Sequence, residues 1–302
     1  MQYKNPLIPC DMEKFPGRTG DPYVLFYKGE YYHCFSMTDG VYLSKSKSLT
    51  DIGKAHPIKV YHNSPNELTR ASNWFAPELH LIDGDFYIYG APDINDKGTH
   101  AMRVLRLKGD NPIGEYELLG GIEGIGDVWS IDGTVITLGG KRYFVWTSNH
   151  IYIAEMVSPT KIGEVKTAII KAEYDWEKVG QPITEGPAPL VHDGKTYIIY
   201  SASDSKCDGY CLGYIEYLGG DPLDENSWKK HAEPILVSGN GVHGPGHCSF
   251  TTVEIDGKAE DFVVYHANLV SGTGWMGRSV WTQKVIWKGG PRIGTPLFEC
   301  EY

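Results

Sequence analysis

Apolar and polar positions alternate in short runs along the chain, and the runs come in pairs around a glycine-containing turn. Five such pairs recur: Val24–Tyr32 around Lys28-Gly29, Leu79–Tyr87 around Asp83-Gly84, Thr134–Tyr143 around Gly139-Gly140, Leu190–Tyr197 around Asp193-Gly194, and Thr252–Tyr265 around Asp256-Gly257. Alternation with period two predicts half-buried strands. A turn such as Asp-Gly between two of them predicts a hairpin, because the turn needs positive φ and glycine accepts it without steric cost. The turn glycines are separated by 55, 56, 54 and 63 residues. That interval is long for a solenoid coil and suits a four-stranded blade. Each hairpin is followed by a further strand-like run, such as Gly40-Val41-Tyr42-Leu43 or Ile151-Tyr152-Ile153-Ala154. The expected fold is all-β: a five-bladed β-propeller of four-stranded blades around a central channel, one domain over residues 1–302. A two-sheet sandwich also has short strands and turns, but does not require one hairpin to return at a near-constant interval.

Composition agrees with this reading and narrows the partners. With 20 Tyr, 8 Trp and 9 Phe beside 36 Gly and 18 Pro, the chain is rich in strand-favouring aromatics and in turn residues. Its net charge of -10, without a Lys/Arg run, is the wrong sign for a protein that tracks nucleic-acid phosphates. No apolar stretch approaches the length of a membrane span, about 18 residues, so neither nucleic acid nor membrane is an expected partner. The start, Met1-Gln2-Tyr3-Lys4-Asn5-Pro6, lacks the apolar core of a secretory signal, and a cytoplasmic protein is expected. Six cysteines in a chain this long do not make a disulfide scaffold.

In a propeller the innermost strands begin at one mouth of the channel, and here the residues just ahead of the turns are repeatedly acidic. Asp21 and Asp132 each stand eight residues before a turn glycine, and Glu185 stands nine before. The second copy offers Glu78, six before its glycine, and the fifth offers His247, ten before. The acids sit in Gly20-Asp21-Pro22, Ile131-Asp132-Gly133 and Thr184-Glu185-Gly186-Pro187, bracketed by small or stiff residues that fix the backbone without crowding a ligand. Clustered carboxylates suit glycoside hydrolysis, where one stays protonated to donate and another stays ionised to activate water. They suit a metal site equally. Trp74-Phe75, Trp129, Trp146 and Trp275 lie near loops or inner-strand positions, where an aromatic face can pack against sugar C–H surfaces. Trp74, followed directly by Ala76-Pro77 after Phe75, is the preferred site candidate, whereas Trp146, Trp281 and Trp287 lie in apolar runs that read as packing between blades.

Two further patterns carry less. Gly239-Asn240-Gly241-Val242-His243-Gly244 fits a dinucleotide fingerprint, but Pro245-Gly246 follows where a helix should begin. Cys207 and Cys211 with His243 and His247 have zinc-like spacing, yet the histidines span Gly-Pro-Gly rather than one helix face.

The ordered motifs Gly20-Asp21-Pro22-Tyr23-Val24, Trp74-Phe75-Ala76-Pro77-Glu78, Ser130-Ile131-Asp132-Gly133-Thr134, Thr184-Glu185-Gly186-Pro187, and Gly244-Pro245-Gly246-His247 with Tyr265-His266-Ala267 make the chain resemble glycoside hydrolase family 43 nearly end to end. The resemblance implies a five-bladed catalytic propeller and inverting hydrolysis of arabinofuranosides or xylosides. It implies Asp21 as general base, Asp132 as the acid that modulates pKa, and Glu185 as general acid. It implies Arg278, in Gly277-Arg278-Ser279, as the arginine reaching the terminal sugar, with Trp74 and Phe75 beside the substrate. His247 matches a channel histidine that in many members faces a hydrated calcium ion or a water, so a structural calcium is an expected cofactor and no organic one is. Related sucrose-cleaving propellers are retaining and carry Asn-Asp-Pro and Glu-Cys motifs; Gly-Asp-Pro and Glu-Gly-Pro here favour inversion. The short stretch after Gly294 favours an arabinofuranosidase over the large xylosidases that carry a C-terminal β-sandwich. The expected function is therefore an inverting exo-acting α-L-arabinofuranosidase on arabinoxylan or arabinan oligosaccharides. The alternatives are a β-xylosidase or bifunctional enzyme and, from another class, a sugar-binding propeller that needs none of the three acids.

Overall fold

The computed structural model describes residues 2–64, 71–95 and 97–301. Its five main sheets form a ring, a five-bladed β-propeller. Blade I runs outward through Tyr23–Tyr27, Glu30–Met37, Gly40–Ser46 and Ile58–His62. Blade II follows with Ser72–Ile82, Asp85–Asp93, Arg103–Leu107 and Tyr116–Gly121, and blade IV with Thr184–His192, Lys195–Ala202, Cys211–Tyr217 and Trp228–Lys230.

Two blades depart from the expected four strands. In blade III, Ile131–Leu138, Lys141–Ser148 and His150–Ser158 are followed by two short strands, Lys161–Ile162 and Thr167–Ile170, that both pair with His150–Ser158. In blade V, His243–Ile255, Lys258–Asn268 and Arg278–Lys284 form three strands only. The outer place is taken by the N-terminal segment, where Ile8 and Val280 exchange backbone hydrogen bonds of 3.3 and 2.9 Å. Nearby, Gln2–Lys4 pairs with Glu299–Glu301. The N-terminal segment thus lies against the third strand of the last blade, beside the pairing of the two terminal strands.

The recurring turns form as their chemistry requires. At all five, the two central residues have positive φ, from Lys28 at 48° and Gly29 at 80° to Asp256 at 51° and Gly257 at 76°. This is the turn whose twist matches a right-handed hairpin. The core is divided among the seams between blades. Leu43 and Cys34 of blade I pack with Leu79 and Ile88 of blade II, and Tyr265 and Trp281 of blade V pack with Ile199 and Leu212 of blade IV. Val24, Phe262 and Ile8 fill the seam that joins the last blade to the first. Trp146 and Trp281 are buried in such seams and Trp287 packs partly buried against His192, as expected of packing residues.

Candidate active site

The site is built by one backbone device repeated around the axis. Asp21, Ala76, Asp132, Gly186 and His247 have φ of 47, 41, 55, 58 and 42°. Each occupies the same place at the start of an inner strand, eight residues before the turn glycine in blades I to IV and ten before it in blade V. In blades II to V the strand register slips at this point, between Phe75 and Glu78, Ile131 and Thr134, Glu185 and Ala188, and Gly246 and Cys248. Such bulges re-aim side chains next to active sites. A left-handed non-glycine residue costs about 1–2 kcal/mol, so holding four of them here needs the surrounding ladder to over-determine the backbone.

The ring revises the sequence register. Blade II contributes Ala76, not Glu78, which lies two residues farther down the strand, buried and paired with His80 at 2.8 Å. Blade IV contributes Gly186, and Glu185 reaches the mouth from the position before it. A Cβ on Gly186 would stand 3.2 Å from His247 Nδ1 and Ser201 Oγ, so glycine lets blades IV and V approach.

Asp21 is ringed by nitrogen. Arg278 Nη1 donates to its Oδ1 at 2.9 Å, and the Nδ1 atoms of His247 and His266 lie 3.4 Å from the same oxygen. The Asp21 N–H donates to His266 Nδ1 at 3.2 Å, which makes that nitrogen an acceptor and places the His266 proton on Nε2. Burial pushes His266 down to about 3, with Arg278 adding to the effect, so the ring is neutral. Loss of water opposes ionisation of Asp21, but His247 and Arg278 outweigh it and hold the carboxyl far below its usual range. Asp21 is therefore a carboxylate, and its side chain keeps 23% exposure, enough to meet a water or ligand.

The other two acids are driven the opposite way. Asp132 is only 4% exposed and accepts the Gly186 N–H at 2.9 Å. Burial, with Glu185 and Asp21 adding repulsion, pushes it up to about 7 against the pull of His247 and the Gly186 N–H. Glu185 accepts the Tyr210 hydroxyl at 2.7 Å. Loss of water raises its pKa, and the Tyr210 hydrogen bond, His247 and Arg278 only partly offset this. Three carboxyl groups thus share one electrostatic neighbourhood, one fixed as an anion and two biased toward holding a proton. That is the division needed for paired base and acid chemistry.

Tyr210 and Ser201 belong to the site and were not legible in the sequence. Tyr210, in the loop between the second and third strands of blade IV, is fully buried, and its ring lies parallel to His266. It sits against Gly246, where a Cβ would be 2.1 Å from the tyrosine ring. Ser201 Oγ accepts the His247 N–H at 2.8 Å and pins the left-handed turn of blade V.

The aromatic candidates divide. Trp74 is 2% exposed, edge-on to Tyr61 at 5.5 Å and packed under Gly90, where a Cβ would lie 2.8 Å from its ring. Strand alternation turns it into the seam with blade I, so it is a packing residue and presents no face to a sugar. Phe75, its neighbour on the opposite face, is half-buried and stacked on His100 at 3.6 Å.

Calcium takes six to eight oxygen ligands. Among the described residues, no group of three or more His, Cys, Asp and Glu side chains is placed to hold a metal ion. Burial pulls His247 down, yet Asp21, Asp132 and Glu185 more than reverse this and favour its charged form. With Arg278 and His247 both supplying positive charge, the residues present do not form a calcium shell. The same holds for the zinc-like Cys/His spacing. Residues Gly239–Val242 close a tight turn ahead of a strand, not a helix, so the dinucleotide pattern lacks its structural context.

Comparison with known proteins places this geometry. The chain is 32% identical over 93% of its length to an extracellular exo-α-(1→5)-L-arabinofuranosidase of Streptomyces avermitilis, and spans 62% of that relative. It is 30% identical over 88% of its length to the protein of the same name from Streptomyces chartreusis, covering 82% of it. Its fold matches the crystal structure of an α-L-arabinofuranosidase from Lactobacillus brevis with a TM-score of 0.87, at 29% identity over 98% of this chain and 97% of the other. These names correct the cytoplasmic expectation: two relatives are named extracellular, which points to a secreted protein. Among the described residues no helix is long and apolar enough to cross a membrane. The profile of Glycosyl hydrolases family 43 matches residues 3–291, and the chain belongs to that family.

Proposed function

We propose that this protein is an inverting, exo-acting α-L-arabinofuranosidase that removes terminal arabinofuranosyl units from arabinan- or arabinoxylan-derived oligosaccharides. The observation that carries the mechanism is the opposed electrostatics of two carboxyl groups at one mouth. Asp21 on blade I is held ionised by Arg278 and His247, while Glu185 on blade IV is biased toward its protonated form. The choice of sugar and of exo action is supported by the names of the relatives.

In this reading Asp21 takes a proton from a water as the water oxygen bonds to the anomeric carbon. The glycosidic C–O bond breaks on the opposite face, and Glu185 gives its proton to the departing oxygen. Asp132, with almost no access to solvent, touches neither reacting atom. Its role is to accept the Gly186 N–H and so fix the turn that carries the acid, while burial and the charge of Asp21 raise the proton affinity of Glu185. Solvent then returns a proton to Glu185 and removes one from Asp21.

Initial rates on methyl α-L-arabinofuranoside and methyl β-D-xyloside, whose alkoxide leaving groups need a proton, test this reading for the wild type, Asp21→Ala and Glu185→Ala. The arabinoside should be the better substrate, and each variant should lose about 10²–10⁴-fold in turnover. Unchanged turnover in both variants would refute the assignment of the acids, and a dominant xyloside rate would refute the choice of sugar.

A further inference from the structure

If Glu185 protonates the leaving oxygen, the departing part of the substrate must lie over the blade that carries Glu185. This inference rests on the function proposed above, and asks which residue receives that part.

Trp275 stands on this rim. Its loop, 269–277, leaves blade V at Asn268, which pairs with His243 above the ring residue His247. It re-enters at Arg278, the donor to Asp21. Between those points the loop leans across the seam onto blade IV. Trp275 Nε1 donates to Ser205 Oγ at 3.0 Å, and the Lys206 ammonium lies 4.3 Å from an indole ring centroid. Asp208 accepts the Gly272 N–H at 3.1 Å and the Ser271 hydroxyl. Ser205, Lys206 and Asp208 belong to the same blade IV loop as Tyr210, the hydrogen-bond donor to Glu185.

The indole is thus held at its N–H and by a cation over its ring, yet it remains 48% exposed. Folding alone gives no reason to anchor a large apolar plate in water, where its burial elsewhere would be favourable. An aromatic plate with its orientation already fixed loses little entropy on binding, which is the form of a preorganised contact.

We propose that Trp275 is the platform for the first sugar ring beyond the scissile bond, with Lys206 and Ser205 holding the indole in place. The occupant is a neutral saccharide ring whose C–H face packs on the indole, and the platform determines preference for an oligosaccharide over a leaving group without a ring.

The test compares kcat/KM for α-1,5-linked arabinotriose with kcat/KM for methyl α-L-arabinofuranoside, whose leaving group is methanol. The ratio of the two is independent of the fraction of enzyme correctly folded. In Trp275→Ala it should fall about tenfold, the scale of one lost aromatic contact, and Trp275→Phe should restore most of it. A ratio unchanged in Trp275→Ala, or not restored by Trp275→Phe, overturns the platform. Failure of the wild type to hydrolyse either arabinoside would instead overturn the function proposed above.

Discussion

Removing one oxygen atom from Tyr210 should move the alkaline limb of activity upward. The Tyr210 hydroxyl donates to Glu185 Oε1 at 2.7 Å, and Tyr210 itself is fully buried, so solvent screens the bond little. A hydrogen bond to a charged group contributes about 1.5–3 kcal/mol. At about 1.4 kcal/mol per pH unit, losing it raises the pKa of the acid by about 1–2 units, less whatever the bond gives to the protonated form. The sign follows from the state that is favoured. The bond stabilises ionised Glu185, so Tyr210→Phe raises the pKa of the pair that Glu185 forms with Asp132, and the enzyme keeps its proton donor to higher pH. The ring still packs against Gly246 and His266, so the fold is retained. The assay is kcat/KM on arabinotriose from pH 4 to pH 9. The expected result is a lower plateau, because Glu185 is less well oriented, with the alkaline midpoint higher by about one unit. A midpoint that stays in place or moves down would refute the assignment of Glu185 as the group that must hold a proton.

Two more substitutions examine how the mouth is built. Gly246→Ala places a Cβ 2.1 Å from the Tyr210 ring and should cost about 1–3 kcal/mol in denaturant unfolding, with loss of activity as Tyr210 is pushed from Glu185; a fully stable, active variant would contradict the packing. Asp132 has a folded pKa of about 7, above its unfolded value of about 3.9, so its contribution is most favourable below the unfolded value, declines between the two and is flat above. The melting temperature of Asp132→Asn relative to the wild type should therefore improve from pH 4 to pH 8, and a difference constant across that range would show that burial does not oppose ionisation of Asp132.

The sequence revealed most where a residue type answers a backbone need. The five turn glycines were readable because positive φ excludes most other residues, and their interval set the number of blades. The ring at the mouth was half readable. The eight-residue offset marks Asp21 and Asp132, whereas Ala76 and Gly186 hold the same conformation without a functional group that charge would reveal. Their signal is the spacing, which Glu78, six residues before its turn glycine, does not share. Trp74 was misplaced because adjacency to a site motif does not say which face of a strand a side chain takes; its neighbour Phe75 points the other way. Tyr210 and Ser201 meet the acids only after blades IV and V pack together, and nothing in their local sequence signals it. Arg278 stood out only through family resemblance, and the fold sets its guanidinium on Asp21.

The central claim is that Asp21 directs water to the face opposite the bond that Glu185 helps to break. Proton NMR of the first sugar released from an α-L-arabinofuranoside, recorded before the anomers equilibrate, tests it most directly. Inversion gives β-L-arabinofuranose as the initial product; the α-anomer appearing first would mean retention, a covalent intermediate and a different role for Asp21.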